Sequence, residues 1–271
     1  MIAVYIASGV VVLCALYVLS VMGRRKHPDI KKMQGWKYAH RGLHNESRPE
    51  NSLAAFQAAL ENGYGIELDV HLLKDGTLAV MHDFSLKRTT GCEGNIEDLT
   101  AAELSLYRLE GTDEPIPTLE QVLQLFDGKA PMIVELKVAG KNYPALSAAV
   151  CDLLDKYPGV YGLESFDPRC VRWLCKHRPD FIRGQLNQNY RKVEAPYPWI
   201  LRFLMTHQTF NFLTRPETKT VLRKSLASCW LHWSHSFSIS SRDFFSVRYR
   251  LDCTASMRSF SSGSSKLREA M

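Results

Sequence analysis

No C-x-x-C pair occurs in this chain of 271 residues, and its seven cysteines are an odd number. Cys170 and Cys175 lie five apart with no matching pair elsewhere. A disulfide framework and a structural zinc site both need cysteines paired at set spacings. The pattern argues against both, and reduced thiols in a reducing compartment are the expectation. Also missing is a basic stripe interleaved with aromatics through the middle of the chain, the footprint of a nucleic-acid surface. The net charge of +6 is concentrated instead: Arg24, Arg25, Lys26, Lys31 and Lys32 face a single acid, Asp29, and the C-terminal stretch is basic too. No nucleic-acid partner is expected.

Charge is absent altogether from residues 2 to 22. A helix of that length spans a hydrocarbon core of about 30 Å. The competing reading is a cleaved signal peptide, which would place basic residues before a shorter apolar run and end on a small-residue cleavage site. Here Arg24-Arg25-Lys26 follow the run. Residues 1–23 are therefore expected to be a single transmembrane anchor and 24–35 a basic juxtamembrane linker. Flanking basic residues favour the cytoplasmic side, which would put the remaining chain in the cytoplasm beside anionic lipid.

A hydrophobic content of 45% and a charged content of 23% suit a globular body, and the length leaves room for a barrel of about 250 residues. Short apolar runs alternate with helical patterns. Strands are expected at Lys37–His40, Gly65–Leu72, Thr77–Met81, Met132–Leu136, Val160–Leu163 and Phe181–Gln185, with a seventh at Phe210–Leu213. Lys74-Asp75-Gly76 reads as a hairpin-like turn before the third. Helices are expected over Ser52–Asn62 with Asn51 as N-cap, from Pro117 through Phe126 with Thr118 as cap, and over Pro144–Tyr157 and Arg169–His177. Alternating β and α units imply a parallel sheet. Polar residues gathered at strand ends favour a closed TIM-type (β/α)8 barrel over an open sheet.

Those polar residues carry the chemistry. Glu67 and Asp69 are two apart on a strand and share a face. Two carboxylates on one apolar strand are costly to bury unless a cation lies between them. A hard divalent ion bound through oxygen meets that need, and Glu135 on a later strand can supply a third ligand. A solvated strand face is the bland alternative. His40 and His82 are the candidate acid and base, since imidazole alone titrates unperturbed near neutrality. Arg41 and Lys137 can neutralise phosphate oxygens or simply pair with the carboxylates. His40 and His44 have an H-x-x-x-H spacing, but Gly42 and Pro49 argue against the helix a zinc pair would need. His71 lies beyond the carboxylates and is set aside.

The ordered set H-R-G (40–42), P-E-N (49–51), E-L-D (67–69), D-G (75–76), H-D (82–83), R-T-T (88–90), I-P-T-L (116–119) and E-L-K (135–137) resembles the glycerophosphodiester phosphodiesterase family over roughly residues 36 to 190. The resemblance implies a TIM-type barrel that hydrolyses glycerophosphodiesters to an alcohol and glycerol 3-phosphate. It implies Mg²⁺ or Ca²⁺ on Glu67, Asp69 and Glu135, His40 and His82 as the acid/base pair, and Arg41 and Lys137 as phosphate-binding cations. Beside a bilayer anchor, lysophospholipids giving lysophosphatidic acid become expected substrates. An inactive membrane-anchored binding protein and a cyclising lyase on the same fold are the alternatives.

The barrel is assigned to residues 36–216. A tryptophan-containing final strand of the W-T-V kind is lacking, and residues 217–271 read as a Ser-rich basic tail, with fourteen serines between Ser225 and Met271. That tail is expected to be a divergent or disordered end, leaving the barrel short of its eighth strand.

Overall fold

The computed structural model describes residues 1–23, 27–190 and 198–221, the last four through their backbone. Helix α1 (Ile2–Val21) has a mean hydropathy of 2.4 over Val4–Val21, and none of that window is buried. It is the one helix among the described residues long and apolar enough to cross a membrane, a criterion that signal sequences also meet. Arg24, Arg25 and Lys26 lie outside the described residues.

The chain divides into two compact units, one of which is Lys31–Leu163. After α2 (Ile30–Met33) it runs β1 (Tyr38–His40), α3 (Leu53–Glu61), β2 (Gly65–Leu72), β3 (Leu78–Val80), α4 (Lys87–Thr90), a 3-10 turn at Ile96–Asp98, α5 (Ala101–Leu104), α6 (Leu119–Phe126), β4 (Met132–Leu136), α7 (Tyr143–Leu154) and β5 (Tyr161–Ser165). Strands β1 and β4 flank β2 and pair with it in parallel, and β5 neighbours β4. Strand β2 explains the arrangement. Ile66, Leu68 and Val70 alternate with Glu67, Asp69 and His71, and all six are buried. One face is therefore apolar and the other is a buried polar surface, which the period of two imposes on the sequence. Parallel pairing sets Asp69 beside Glu135 and His40 beside Glu67.

One expectation changes here. The cap of α3 is Ser52, whose Oγ accepts from Ala55 N at 3.1 Å. Asn51 sits one residue earlier at φ +56° and turns its amide away from the helix. The hairpin-like connection expected before the third strand is present, and β3 stands outside the parallel set. It pairs antiparallel with β2 through Val70↔Val80 and Leu72↔Leu78, as the turn at Lys74-Asp75-Gly76 requires, with Gly76 at φ +87°. The excursion from Leu73 to Ile116 packs a small core of its own around Met81, Leu86, Ile96, Leu104 and Leu109. The cap of α6 is as expected: Thr118 and Gln121 form a capping box.

The other unit is Met1–Ile30 with the described residues from Glu164 on. It holds α1, α8 (Pro168–His177), β6 (Arg183–Asn187), α9 (Trp199–Thr206), α10 (Asn211–Thr214) and β7 (Thr218–Val221). Strands β6 and β7 pair in parallel from Gly184↔Thr218 to Asn187↔Val221. Arg183 is buried and fully engaged: its guanidinium meets Glu217 at 3.2 Å and donates to the carbonyls of Thr214 and Arg215. The expected strand at Phe210–Leu213 is instead helical, as α10 and its cap. Phe210, Phe212 and Leu213 form a short apolar run whose periodicity fits either state. The strand comes later, at 218–221, inside the stretch expected to begin an unstructured tail. The rest of that tail, residues 222–271, lies outside the described residues.

Candidate active site

The residues singled out from the sequence meet in the unit Lys31–Leu163. Ligand atoms of Glu67, Asp69 and Glu135 lie within 4.8 Å of one another, and all three residues are buried. Lys137, the first residue after β4, places Nζ 2.8 Å from Glu135 Oε1 and 3.0 Å from Asp69 Oδ1. Asp69 Oδ1 is buried and accepts no hydrogen bond of good geometry. His40 ends β1 with Nε2 3.7 Å from Glu67 Oε2. Arg41, at φ +58°, donates its backbone N–H to Glu67 Oε2 at 3.2 Å and brings Nε to 3.7 Å from Asp69 Oδ2. His82 arrives because β3 turns the chain back along β2: Met81 N donates to the Asp69 carbonyl at 3.1 Å.

Four further residues complete the arrangement, and the sequence reading gave none of them a role in the site. Asn51 donates Nδ2 to Asp69 Oδ2 at 2.9 Å. Glu50 accepts from Arg41 Nη1 at 3.0 Å on each oxygen and from Arg88 Nη2 at 2.5 Å. Arg88 Nε donates to Asp83 Oδ2 at 2.5 Å, and Asp83 Oδ1 lies 2.5 Å from His82 Nδ1. The chain of ion pairs therefore runs Arg41–Glu50–Arg88–Asp83–His82. The signal for these residues was present in P-E-N, H-D and R-T-T, motifs whose partners only folding reveals.

Electrostatics follow from burial against this wiring. Burial pushes the His40 imidazole down to about 4, helped by the Arg41 charge, so it is neutral at neutral pH. Burial and the Lys137 charge also lower His82, while Asp69 and Asp83 pull the other way. The hydrogen bond from Arg88 holds Asp83 down at about 2. An ionised carboxylate only accepts, so His82 Nδ1 carries the proton towards Asp83 and leaves Nε2 for proton exchange. Burial would raise Asp69, but Lys137, His82 and Arg41 keep it below its ordinary value. Burial and the Asp69 charge push Glu135 up to about 7 against the pull of Lys137. Asp69 and Glu135 share the Lys137 ammonium and Glu67 lies within 4.8 Å of both, so three ionised carboxylates would leave the cluster with excess negative charge even with Arg41 beside Asp69. That excess, with hard oxygen donors and an Asp69 oxygen lacking a hydrogen bond, fits a divalent cation.

Residues 40–169 match the glycerophosphoryl diester phosphodiesterase family. The chain is 33% identical over 190 residues to YhdW of Bacillus subtilis (strain 168), provisionally named a glycerophosphodiester phosphodiesterase, covering 67% of this chain and 70% of that one. It is 37% identical over 132 residues to the lysophospholipase D GDPD1 of Rattus norvegicus, covering 44% of this chain and 40% of the relative. Among solved structures, an Oleispira antarctica phosphodiesterase in complex with the product sn-glycerol-3-phosphate matches with a TM-score of 0.56 at 22% identity, covering 71% of this chain and 85% of that one. This likeness bears out the TIM-type barrel as the fold class. The chain spans 52% of the length of one relative it matches and 65% of another. With motifs, fold and relatives in agreement, this chain belongs to the glycerophosphodiester phosphodiesterase family.

Proposed function

We propose that the chain is a metal-dependent phosphoric diester hydrolase that cleaves glycerophosphodiesters or lysophospholipids, releasing an alcohol with glycerol 3-phosphate or lysophosphatidic acid. The observation that carries this is the cluster of Glu67, Asp69 and Glu135, three buried carboxylates within 4.8 Å, flanked by two histidines. Mg²⁺ or Ca²⁺ held by those carboxylates would polarise the phosphoryl oxygens as a Lewis acid. Arg41 and Lys137 would add positive charge where the transition state gathers negative charge. Arg41 is pre-aimed by Glu50, and Lys137 is fixed between Asp69 and Glu135.

His40, neutral at working pH, would take the proton of the attacking hydroxyl, either water or the glycerol 2-hydroxyl. His82 would give a proton from Nε2 to the leaving alkoxide as the scissile P–O bond breaks. Burial and Lys137 lower His82, but the bond to Asp83 opposes them, so His82 holds a proton more readily than His40 and is the better donor of the two. The name of the Rattus relative favours lysophospholipids among the substrates. α1 would hold the enzyme in the bilayer as a single-pass anchor (1–23), with the basic linker (24–35), the barrel (from 36, and reaching through β7 rather than ending at 216) and the rest of the 217–271 tail on the cytoplasmic side.

The test is hydrolysis of glycerophosphocholine and lysophosphatidylcholine by the full chain in membranes, with metal and with chelator, beside His40→Ala and Glu67→Ala. Metal-dependent release of glycerol 3-phosphate or lysophosphatidic acid, lost in both variants, is expected. Folded, metal-loaded protein without turnover would sink the proposal and leave an inactive binding protein. A cyclic phosphate product would reassign the reaction to a lyase.

A further inference from the structure

Helix α9 is apolar yet lies at the protein surface, its residues exposed or half-buried. Its sequence is Trp-Ile-Leu-Arg-Phe-Leu-Met-Thr, and none of its residues is buried. Trp199 is 78% exposed, Ile200 53% and Phe203 45%. At 3.6 residues per turn these three fall within about 100° of arc, so they form one stripe. Phe212 on α10 is 51% exposed in the same unit. A helix facing water would present polar side chains there; large exposed apolar patches mark surfaces that meet something else.

Contacts within the same unit relate that surface to α1. Asn211 at the start of α10 donates Nδ2 to the carbonyl of Val21, the last residue of α1, at 3.3 Å. Asn187 at the end of β6 donates Nδ2 to the Thr206 carbonyl at the end of α9, at 2.9 Å. If α1 crosses the bilayer, its C-terminal end lies at a headgroup layer, and α10 is tied to that end. No acidic residue occurs between Ala195 and Pro216, while Arg202 and Arg215 supply positive charge. Tryptophan with its amphipathic ring, phenylalanine and a neighbouring arginine, on a helix with no fully buried residue, suit the membrane–water interface. We infer that α9, with Phe212, is a membrane-interfacial surface that lies in the headgroup layer of a phospholipid bilayer and seats the unit against it. The inference rests on the anchoring role proposed for α1.

The test uses the full chain in vesicles of phosphatidylcholine and phosphatidylserine whose acyl chains are brominated. α1 contains no tryptophan, so tryptophan quenching reports only on the rest of the protein. Flotation with the vesicles after alkaline carbonate extraction reports on α1 separately. Carbonate-resistant flotation with strong quenching is expected, and the quenched emission should fall in Trp199→Phe but persist in Trp36→Phe and Trp173→Phe. Phe203→Glu, which leaves every tryptophan in place, should weaken the quenching by lifting the stripe from the lipid. Carbonate-resistant protein whose quenching is unchanged by Trp199→Phe would overturn the interfacial helix alone. Protein stripped by carbonate would overturn it together with the anchor on which it rests.

Discussion

Asn51 and Asp83 touch groups to which we assign the chemistry, without taking part in it themselves. The Asn51 amide fixes Asp69 Oδ2 and leaves Oδ1 turned to Lys137, so Asn51→Ala frees a carboxylate of the proposed metal site to rotate. Loss of such a supporting hydrogen bond costs about 10-fold or more in metal affinity. Titration of Mg²⁺ or Ca²⁺ by calorimetry should show that weakening, and an unchanged Kd would remove Asn51 from this role. Asp83→Asn keeps the shape but withdraws the negative charge facing His82 Nδ1. A fall in kcat on the order of 100-fold is expected, the size of one displaced acid/base group. Steady-state kinetics should find KM little changed; a rise in KM at constant kcat would assign Asp83 to binding instead.

Elements place these residues, and two local contacts show how tightly. Ser52 Oγ both donates to the Pro49 carbonyl at 2.7 Å and accepts from Ala55 N at 3.1 Å, so it closes the P-E-N turn and opens α3 at once. Ser52→Ala should cost about 1 kcal/mol as a lost cap. Gly42 is more constrained: at φ +83° an added Cβ would meet Ala55 C and Cβ at 2.9 Å. Gly42→Ala should therefore destabilise more than Ser52→Ala, by at least about 1 kcal/mol from the left-handed backbone alone, before the clash is counted. Urea midpoints of the two variants check the order. Most elements here were legible in the sequence: β2 falls where its apolar alternation puts it and β4 where its apolar run does. Asn51 was misread as a cap because an Asn before a helical pattern is the ordinary signal; its partner, Asp69, is eighteen residues on.

For the whole molecule, the ion pairs and the proposed metal make stability depend on conditions. Arg88 holds Asp83 at about 2, below its ordinary 3.8. A carboxylate depressed in the folded state stabilises the protein above the unfolded value, and this is lost as pH falls from 3.8 towards 2. Arg88→Ala releases both Asp83 and Glu50, so its unfolding free energy should decline less steeply than wild type across that window. Denaturation midpoints measured at several pH values would show parallel slopes if the network does nothing. Saturating Mg²⁺ or Ca²⁺ should raise thermal stability at neutral pH, by about 2.7 kcal/mol at one hundred times Kd. The rise should vanish in Glu67→Ala, and a cation with no effect on wild-type melting would argue against the carboxylate cluster as its site.

The sequence alone determined what depends on near neighbours: the apolar helix α1, the β-α alternation, and Glu67 and Asp69 on one face of β2. Strand period and helix period are local properties, written in residue order. Tertiary structure decided which distant groups share charge. Parallel register brought Glu135 beside Asp69 from sixty-six residues away, the hairpin of β2 and β3 returned His82 to the same level, and Arg88 found both Glu50 and Asp83. It also decided that Phe210–Leu213 is the start of a helix and its cap, and that among the described residues nothing buries the apolar stripe of α9. A buried charge must be matched wherever the fold can bring a partner, and an apolar run takes its form from what it packs against, so neither is specified by local sequence.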